Sequence, residues 1–418
     1  MMILSLKKKK LVKQQRHVCL IVLTLKKNVV NKRPPKNGEV RQKIQNTLLV
    51  DGNALFKSGY FGAKGEYNYK GQHIGGIYQF ITMLRKLLTE NMYHRVYVFW
   101  DGNYSGKLRY EIYNPYKSGR GKDYVNGTQP IDEEEVRERR VVMQYLEDLF
   151  IRQLKHEVVE SDDFIAYYCL NKKPNEKITI CTNDSDMAQL ISEDVRIYFL
   201  HFKNYVDTSN FSSYFCYNIE NAALVKSMIG DTADSIKGIK GLGVDTLVKH
   251  FPELKERKVS LTQIIERAKQ IQKERAEQKK KPLAVLDNII NKTTDSVLGD
   301  KIYEINYKLV DLKNPMMTKE GARELELLIE GDLDPEGRSI KNVLSYMEKD
   351  GLRKLIGETR YENYLIPFKE LISRETKNNL LWTNTIKMKN WDINSYCISM
   401  TILFVKDILT SSILMKTH

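Results

Sequence analysis

The 418-residue chain predicts an α/β fold with a mostly parallel sheet flanked by helices, and three observations carry that prediction. Short, nearly continuous apolar runs occur at 47–50, 95–100 and 177–182, as expected for strands buried on both faces. Helical stripes alternate with them: Ile77, Phe80, Ile81, Leu84, Leu87 and Leu88 mark one face of 75–89, and Val141, Val142, Tyr145, Leu146 and Leu149 one face of 135–149. Each apolar run also stops at an acid, in Asp51-Gly52-Asn53, Asp101-Gly102-Asn103 and Asn183-Asp184-Ser185-Asp186. A parallel sheet brings its strand ends to one edge, so these acids are expected to be neighbours.

A fourth strand end is expected at Val158-Val159, feeding Glu160-Ser161-Asp162-Asp163 and a helix marked by Phe164, Ile165 and Tyr168. Three carboxylates at one strand-to-helix junction admit two explanations. Asp162 can cap the helix with Asp163 favouring its dipole, or the cluster can await a cation. Taken singly, an acid at a strand end is a turn former; four such ends on one edge, two of them doubled, favour the cation.

Composition is that of a globular chain, 42% hydrophobic and 29% charged. The net charge of +14 is not a property of the core: +12 lies before residue 48, +2 after 378, and residues 48–378 are neutral. Residues 1–46 read as a basic, disordered arm, able at most to tether nucleic acid without reading its sequence. Their Lys7–Lys10 run and the apolar 18–25 stretch lack the length of a membrane span and a small-residue cleavage site, so a cytoplasmic protein with no membrane partner is expected. Cys19, Cys169, Cys181, Cys216 and Cys397 are scattered, which argues for a reducing compartment and against zinc.

The 104–128 segment breaks the strand–helix alternation. Lys107, Arg109, Lys117, Arg120 and Lys122 are interleaved there with Tyr110, Tyr113 and Tyr116, a mixture suited to a single-stranded backbone and stacked bases. Its place directly after Asp101 makes it an expected lid. A further strand is expected at 195–202 and a helix at 218–228. Next, Asp231 and Asp234 are three apart, on one face of a helical turn, and Lys237-Gly238, Lys240-Gly241 and Gly243 make a hairpin whose second helix opens at Gly243. Such a turn can hold a phosphate through backbone N–H groups without reading bases. Residues 252–378 read as helical, the Lys273–Lys281 run as a solvated face, and 379–418 carry no motif.

Asp51, Asp101, Glu160, Asp162, Asp163, Asp184, Asp186, Asp231 and Asp234 are thus nine carboxylates expected around one cleft. Their mutual repulsion is relieved by divalent cations, and an all-oxygen set without Cys or His selects Mg²⁺, with Mn²⁺ as substitute. Two such ions on the order of 4 Å apart suit in-line attack on a phosphodiester. Lys117 and Arg120 would neutralise charge developing on the phosphate if the lid covers the cleft.

The ordered set Val50-Asp51-Gly52, Trp100-Asp101-Gly102, Tyr116-Lys117 with Arg120, Glu160 with Asp162-Asp163, Asp184 with Asp186, and Gly230-Asp231 with Asp234 leading to Gly241-Leu242-Gly243 resembles the phage and bacterial 5′→3′ exonucleases of the flap endonuclease family, including the phage ribonuclease H type. The resemblance covers 48–251. It implies a PIN-like nuclease core over 47–251, a helical arch at about 104–140 and a helix-three-turn-helix element at about 229–251 that holds duplex DNA, with the helical 252–378 region following. It assigns the nine acids to two metal positions and makes Lys117 and Arg120 the basic residues near the scissile phosphate. Arg109, Tyr116, Lys237, Gly238, Lys240, Gly241 and Gly243 become DNA contacts, Tyr116 by base stacking. The implied substrates are 5′ flaps, duplex ends and RNA primers on DNA, cut by a monomer in replication or repair, with a single-strand DNA-binding protein as a further partner. A PIN-type ribonuclease and a DNA-binding protein that no longer cuts are the rivals. The duplex-holding turn argues against the first and the complete acidic set against the second.

Overall fold

The computed structural model describes residues 44–121, 123, 132–294 and 301–377. The basic arm up to residue 43, the tail from 378, Lys122 and the 124–131 part of the expected arch lie outside these described residues.

Five parallel strands, β1 (Gln45–Asp51), β2 (Arg95–Asp101), β3 (Arg152–His156), β4 (Glu176–Thr182) and β5 (Val195–Phe199), and one antiparallel strand, β6 (Asn204–Val206), form a single sheet in the order 3-2-1-4-5-6. The chain steps outward from β1 through β2 to β3, then crosses back to lay β4 on the other side of β1. Strand order therefore reverses between β1 and β4, and ligands bind such sheets in the crevice at the carboxyl ends of the strands on either side of that reversal. Asp51 pairs in register with Phe99, and Asp101 with His156, so both acids close their strands at this edge.

Alternation along the buried strands sorts their side chains between two layers. Leu48, Val50, Val96, Val98 and Trp100 pack against helices α1 (Gly52–Gly62), α2 (Gly75–Glu90) and, beyond the short α3 (Lys107–Ile112), α4 (Glu133–Asp148). Leu49, Tyr97, Phe99, Ile178 and Ile180 face α5 (Ser161–Leu170). A separate helical core gathers α6 (Ala222–Ile229), α7 (Val244–His250), α8 (Leu261–Glu277), α9 (Ala284–Ile290) and α10 (Ile302–Val310) around Met228, Leu247, Phe251, Ile264 and Leu286.

The later helices do not form a region of their own. Val343, Met347, Leu352 and Phe368 complete the core beneath α2 and α4, and Leu325 completes the one beneath α5. Arg152 on the outermost strand ties them down: its Nε meets Glu375 at 2.8 Å and its Nη1 donates to the carbonyls of Leu328 and Gly331. Apolar packing runs across 251/252, where Phe251, Leu254 and Ile264 share one core.

Three local expectations need correction. Val158 and Val159 do not end a strand: β3 stops at His156, whose Nδ1 accepts the N–H groups of both valines and turns the chain early toward α5. Asp231 belongs to a two-residue strand paired with Ile236–Lys237 rather than to a helical turn, and its carboxylate accepts the N–H groups of Ala233 and Asp234 to hold the tight loop between them. The helix expected at 218–228 begins at Ala222, after a single 3-10 turn capped by Asn218.

Candidate active site

Four elements deliver acids to the crevice. Asp51 ends β1 and caps α1 by accepting the Ala54 N–H at 3.0 Å. Asp101 ends β2 and accepts the Ser161 N–H at 2.8 Å, joining β2 to the start of α5, where Asp162 lies. Asp184 follows β4 and caps a short 3-10 turn through the Asp186 N–H. These acids, with Asp231 and Asp234, line a cleft of about 560 Å³ together with Asn53, Lys57, Lys117, Arg120, Arg139 and Lys226.

The nine predicted acids divide sharply by partner. Asp51, Asp101, Asp162 and Asp184 form no ion pair among the described residues; the other five do. Arg109 binds Asp163 through both guanidinium nitrogens, at 2.5 and 3.0 Å, and Glu160 at 2.6 Å. Lys117 also pairs with Glu160, and Arg120 with Asp234. Lys226 stands between Asp186, at 2.7 Å, and Asp231, at 2.9 Å.

Proton affinities follow the division only in part, because burial raises Asp163 and Asp234 as well, despite their ion pairs. Burial raises Asp51 to about 7, aided by repulsion from Asp101 and Asp184. Burial and repulsion from Asp184, Asp51 and Asp101 hold Asp162 well above the usual carboxylate range. Burial works against the Glu160 carboxylate too, but Lys117 and Arg109 overcome it and hold the group at about 2. Asp186 is an intermediate case: burial and the Asp184 charge raise it to about 7 despite Lys226.

The 104–121 segment packs down onto the loop after Asp231. The Lys117 N–H donates to the Asp234 carbonyl at 2.8 Å, the Gly119 N–H to Ser235 Oγ, and Arg120 reaches Asp234. Lys117 adopts φ 54°, a left-handed conformation uncommon for its residue type. Tyr113, Tyr116, Ile236, Leu309 and Val310 form a small apolar cluster underneath. Lys117 and Arg120 therefore reach the cleft as expected, whereas two predicted DNA contacts do not. Tyr116 is only 3% exposed and donates its hydroxyl to Glu160, so no ring face is available for a base. Arg109 is 5% exposed and spent on Glu160, Asp163 and the Leu309 carbonyl.

Lys237, Lys240, Gly241 and Gly243 lie on the exposed turn before α7. Gly241 needs its φ of +74°, and Gly238 is required for a different reason: a Cβ there would collide with the backbone of Ile229 and Gly230. Thr294 Oγ1 and Asn288 Nδ2 donate to the carbonyls of Gly238 and Lys240, bracing the turn from behind.

Sequence patterns had not singled out Lys226, Arg139, Lys57 or Asn53. Lys226 had a usable signal, as the one charge in the otherwise apolar Ala222–Ile229 helix, five residues before Asp231. Arg139 is hidden among the many charges of α4.

The donor set fits a divalent cation. The acids without ion pairs present oxygen atoms alone, their repulsion is what a cation removes, and the buried Asn53 Oδ1 in the same cleft has no hydrogen-bond partner. Among the described residues no three His, Cys, Asp or Glu side chains already stand close enough to hold an ion, so binding would draw these acids inward.

Residues 46–215 match the family described as the 5′-3′ exonuclease, N-terminal resolvase-like domain. A thermostable DNA polymerase I of Thermus caldophilus is 29% identical over 209 residues, 49% of this chain and 24% of its own length. A 5′-3′ exonuclease of Mycoplasmopsis pulmonis is 24% identical over 311 residues, 71% of this chain and 98% of its own. A solved structure of the 5′-exonuclease of bacteriophage T5, described with bound divalent zinc, is 18% identical and covers 74% of this chain and 99% of its own at a TM-score of 0.47. The chain spans about a quarter of the length of the polymerases it matches. The domain assignment agrees with the resemblance carried by the acidic motifs, and the observed sheet with the expected mostly parallel, helix-flanked architecture.

Arg109→Ala leaves Glu160 and Asp163 buried without their guanidinium and is expected to cost ~3–5 kcal/mol in chemical denaturation; unchanged stability with weakened DNA binding would restore Arg109 as a DNA contact. With Asp51 near 7 against an unfolded value near 3.8, the metal-free folded state binds the extra proton, so stability should fall as pH rises from about 4 through 7. Adding Mn²⁺ at pH 7 should then release on the order of one proton, read by calorimetry in buffers of different ionisation enthalpy; binding without proton release would contradict the assignment.

Proposed function

We infer that this chain is a metal-dependent 5′ nuclease that removes 5′ flaps and degrades 5′→3′ from duplex ends, RNA primers on DNA included. One observation carries the inference. Four acids without ion pairs among the described residues line one cleft at the strand-order reversal of a domain that matches the 5′-3′ exonuclease family, together with Lys117, Arg120, Lys57 and Arg139.

Asp51, Asp101, Asp162 and Asp184 would hold the first ion, and Asp186, Asp231 and Asp234 would contribute to a second, with Mg²⁺ favoured by the oxygen-only donors. Bound there, divalent ions would polarise the scissile phosphodiester and lower the pKa of the attacking water.

The protein's own part is positioning and charge. Arg120 is half-exposed on the cleft wall and can leave Asp234 for a phosphate oxygen. Lys117 is buried against Glu160 and supplies a fixed positive charge to the same wall. The exposed Lys237, Lys240, Gly241 and Gly243 turn lies beyond Asp231 and Asp234, so a duplex held there through its phosphates would present one strand to the cleft. Asp163 falls outside the ligand set in this account, and Glu160 acts through the basic groups it holds, because both are committed to Arg109.

A 5′-labelled flap, a nicked duplex and a single strand of RNA, each incubated with Mg²⁺ and with chelator, test the proposal. Cleavage of the flap with Mg²⁺ alone is expected, abolished in Asp184→Ala with DNA binding retained, and reduced at least ~100-fold in Lys117→Ala with a smaller change in binding. Preferential cutting of single-stranded RNA would favour a PIN-type ribonuclease, and binding without cleavage a non-catalytic DNA-binding protein.

A further inference from the structure

Lys226 is not needed to build the fold's core, yet its ammonium is seated in the acidic cleft. It lies in the last turn of α6, and its own carbonyl accepts the Gly230 N–H where the helix ends. That junction is closely packed: Gly230 sits at φ +76°, and a Cβ there would collide with the backbone of Ile236–Gly238. The side chain leaves this anchor and places Nζ between two acids carried by different elements. Asp186 comes from the 3-10 turn after β4, and Asp231 from the short strand after α6. All three side chains are about one-fifth exposed. One ammonium is shared by two carboxylates, which are thereby held within reach of a single cation.

A second observation concerns where Lys226 could go. Beside the acidic cleft lies a smaller pocket of about 210 Å³, walled by Tyr214, Phe215, Tyr217, Val225, Ile229 and Val244, and Lys226 and Asp186 are also among its lining residues. The lysine therefore borders both cavities, one acidic and one aromatic. Aromatic faces attract an ammonium, and a lysine stem lies well along apolar walls.

We propose that Lys226 is a tethered stand-in for the second divalent ion: it bridges Asp186 and Asp231 when that ion is absent and withdraws into the adjacent aromatic pocket when the ion binds. This rests on the metal-dependent reading of the cleft and adds to it an order of binding. The first position, formed by the acids without ion pairs, is open to a cation in the free protein. The second has to displace an internal cation, so it fills weakly until substrate phosphate adds its own negative charge. An apparent affinity reduced by the fraction of protein with the lysine withdrawn is the quantitative form of this competition.

The test counts Mn²⁺ ions bound to the full chain without DNA, by electron paramagnetic resonance of free Mn²⁺ and by calorimetry. Wild type is expected to bind one ion tightly and a second weakly. Lys226→Met removes the internal cation at nearly constant volume and should tighten the second ion at least ~10-fold, whereas Lys226→Arg keeps the charge and should leave the wild-type pattern. If Lys226→Met is unfolded in chelator, recovery of its circular dichroism with Mn²⁺, but not with NaCl of equal ionic strength, supports the same competition; no recovery overturns it. Identical two-ion binding curves in wild type and a folded Lys226→Met would overturn the stand-in role while leaving the nuclease assignment intact. No Mn²⁺ bound by wild type would remove both.

Discussion

The organising constraint in this molecule is electrostatic. Parallel strands end on one edge, and this chain places an acid at or just after most of those ends, so like charges converge where the sheet cannot spread them apart. Coulomb repulsion at such distances is large unless something of opposite sign intervenes. The protein answers with four internal cations. Arg109 and Lys117 neutralise Glu160 and Asp163, Arg120 takes Asp234, and Lys226 shares Asp186 and Asp231. Among the described residues, what remains is a group of four acids, Asp51, Asp101, Asp162 and Asp184, that no ion pair neutralises.

Those same ion pairs assemble the architecture around the cleft. Lys117 and Arg120 arrive on the segment after β2, while Asp234 arrives on the loop after α6; their contacts join the parallel sheet to the helical core that carries the glycine turn. Arg109 adds a third connection by reaching the Leu309 carbonyl at the end of α10. A duplex held on the turn and a phosphate in the cleft would thus be positioned by one continuous set of packed and charged contacts.

Much of this was legible in residue order. The strands are buried on both faces and so are written as apolar runs, and their acidic stops fall on the edge where the cleft lies. Pairing was not legible, because it depends on which side chains meet across sequence separations such as 43 for Lys117 with Glu160 and 118 for Tyr116 with Asp234. For that reason Arg109 and Tyr116 looked like nucleic-acid contacts by composition while folding turns both inward. The same limit hid the sharing of the sheet's core by 340–371, which is read only when Val343, Met347 and Phe368 are seen beneath α2 and α4. His156 illustrates a smaller failure: a side chain accepting two backbone N–H groups ended a strand that hydrophobicity alone extended to Val159.

The central claim is that the four acids without ion pairs are where a divalent cation binds, and locating that ion tests it most directly. Crystals grown in chelator and then soaked in Mn²⁺ should show an anomalous peak in the cleft within ~2.0–2.6 Å of carboxylate oxygens from at least two of Asp51, Asp101, Asp162 and Asp184. A peak elsewhere, or none with these four side chains unmoved, would contradict the account.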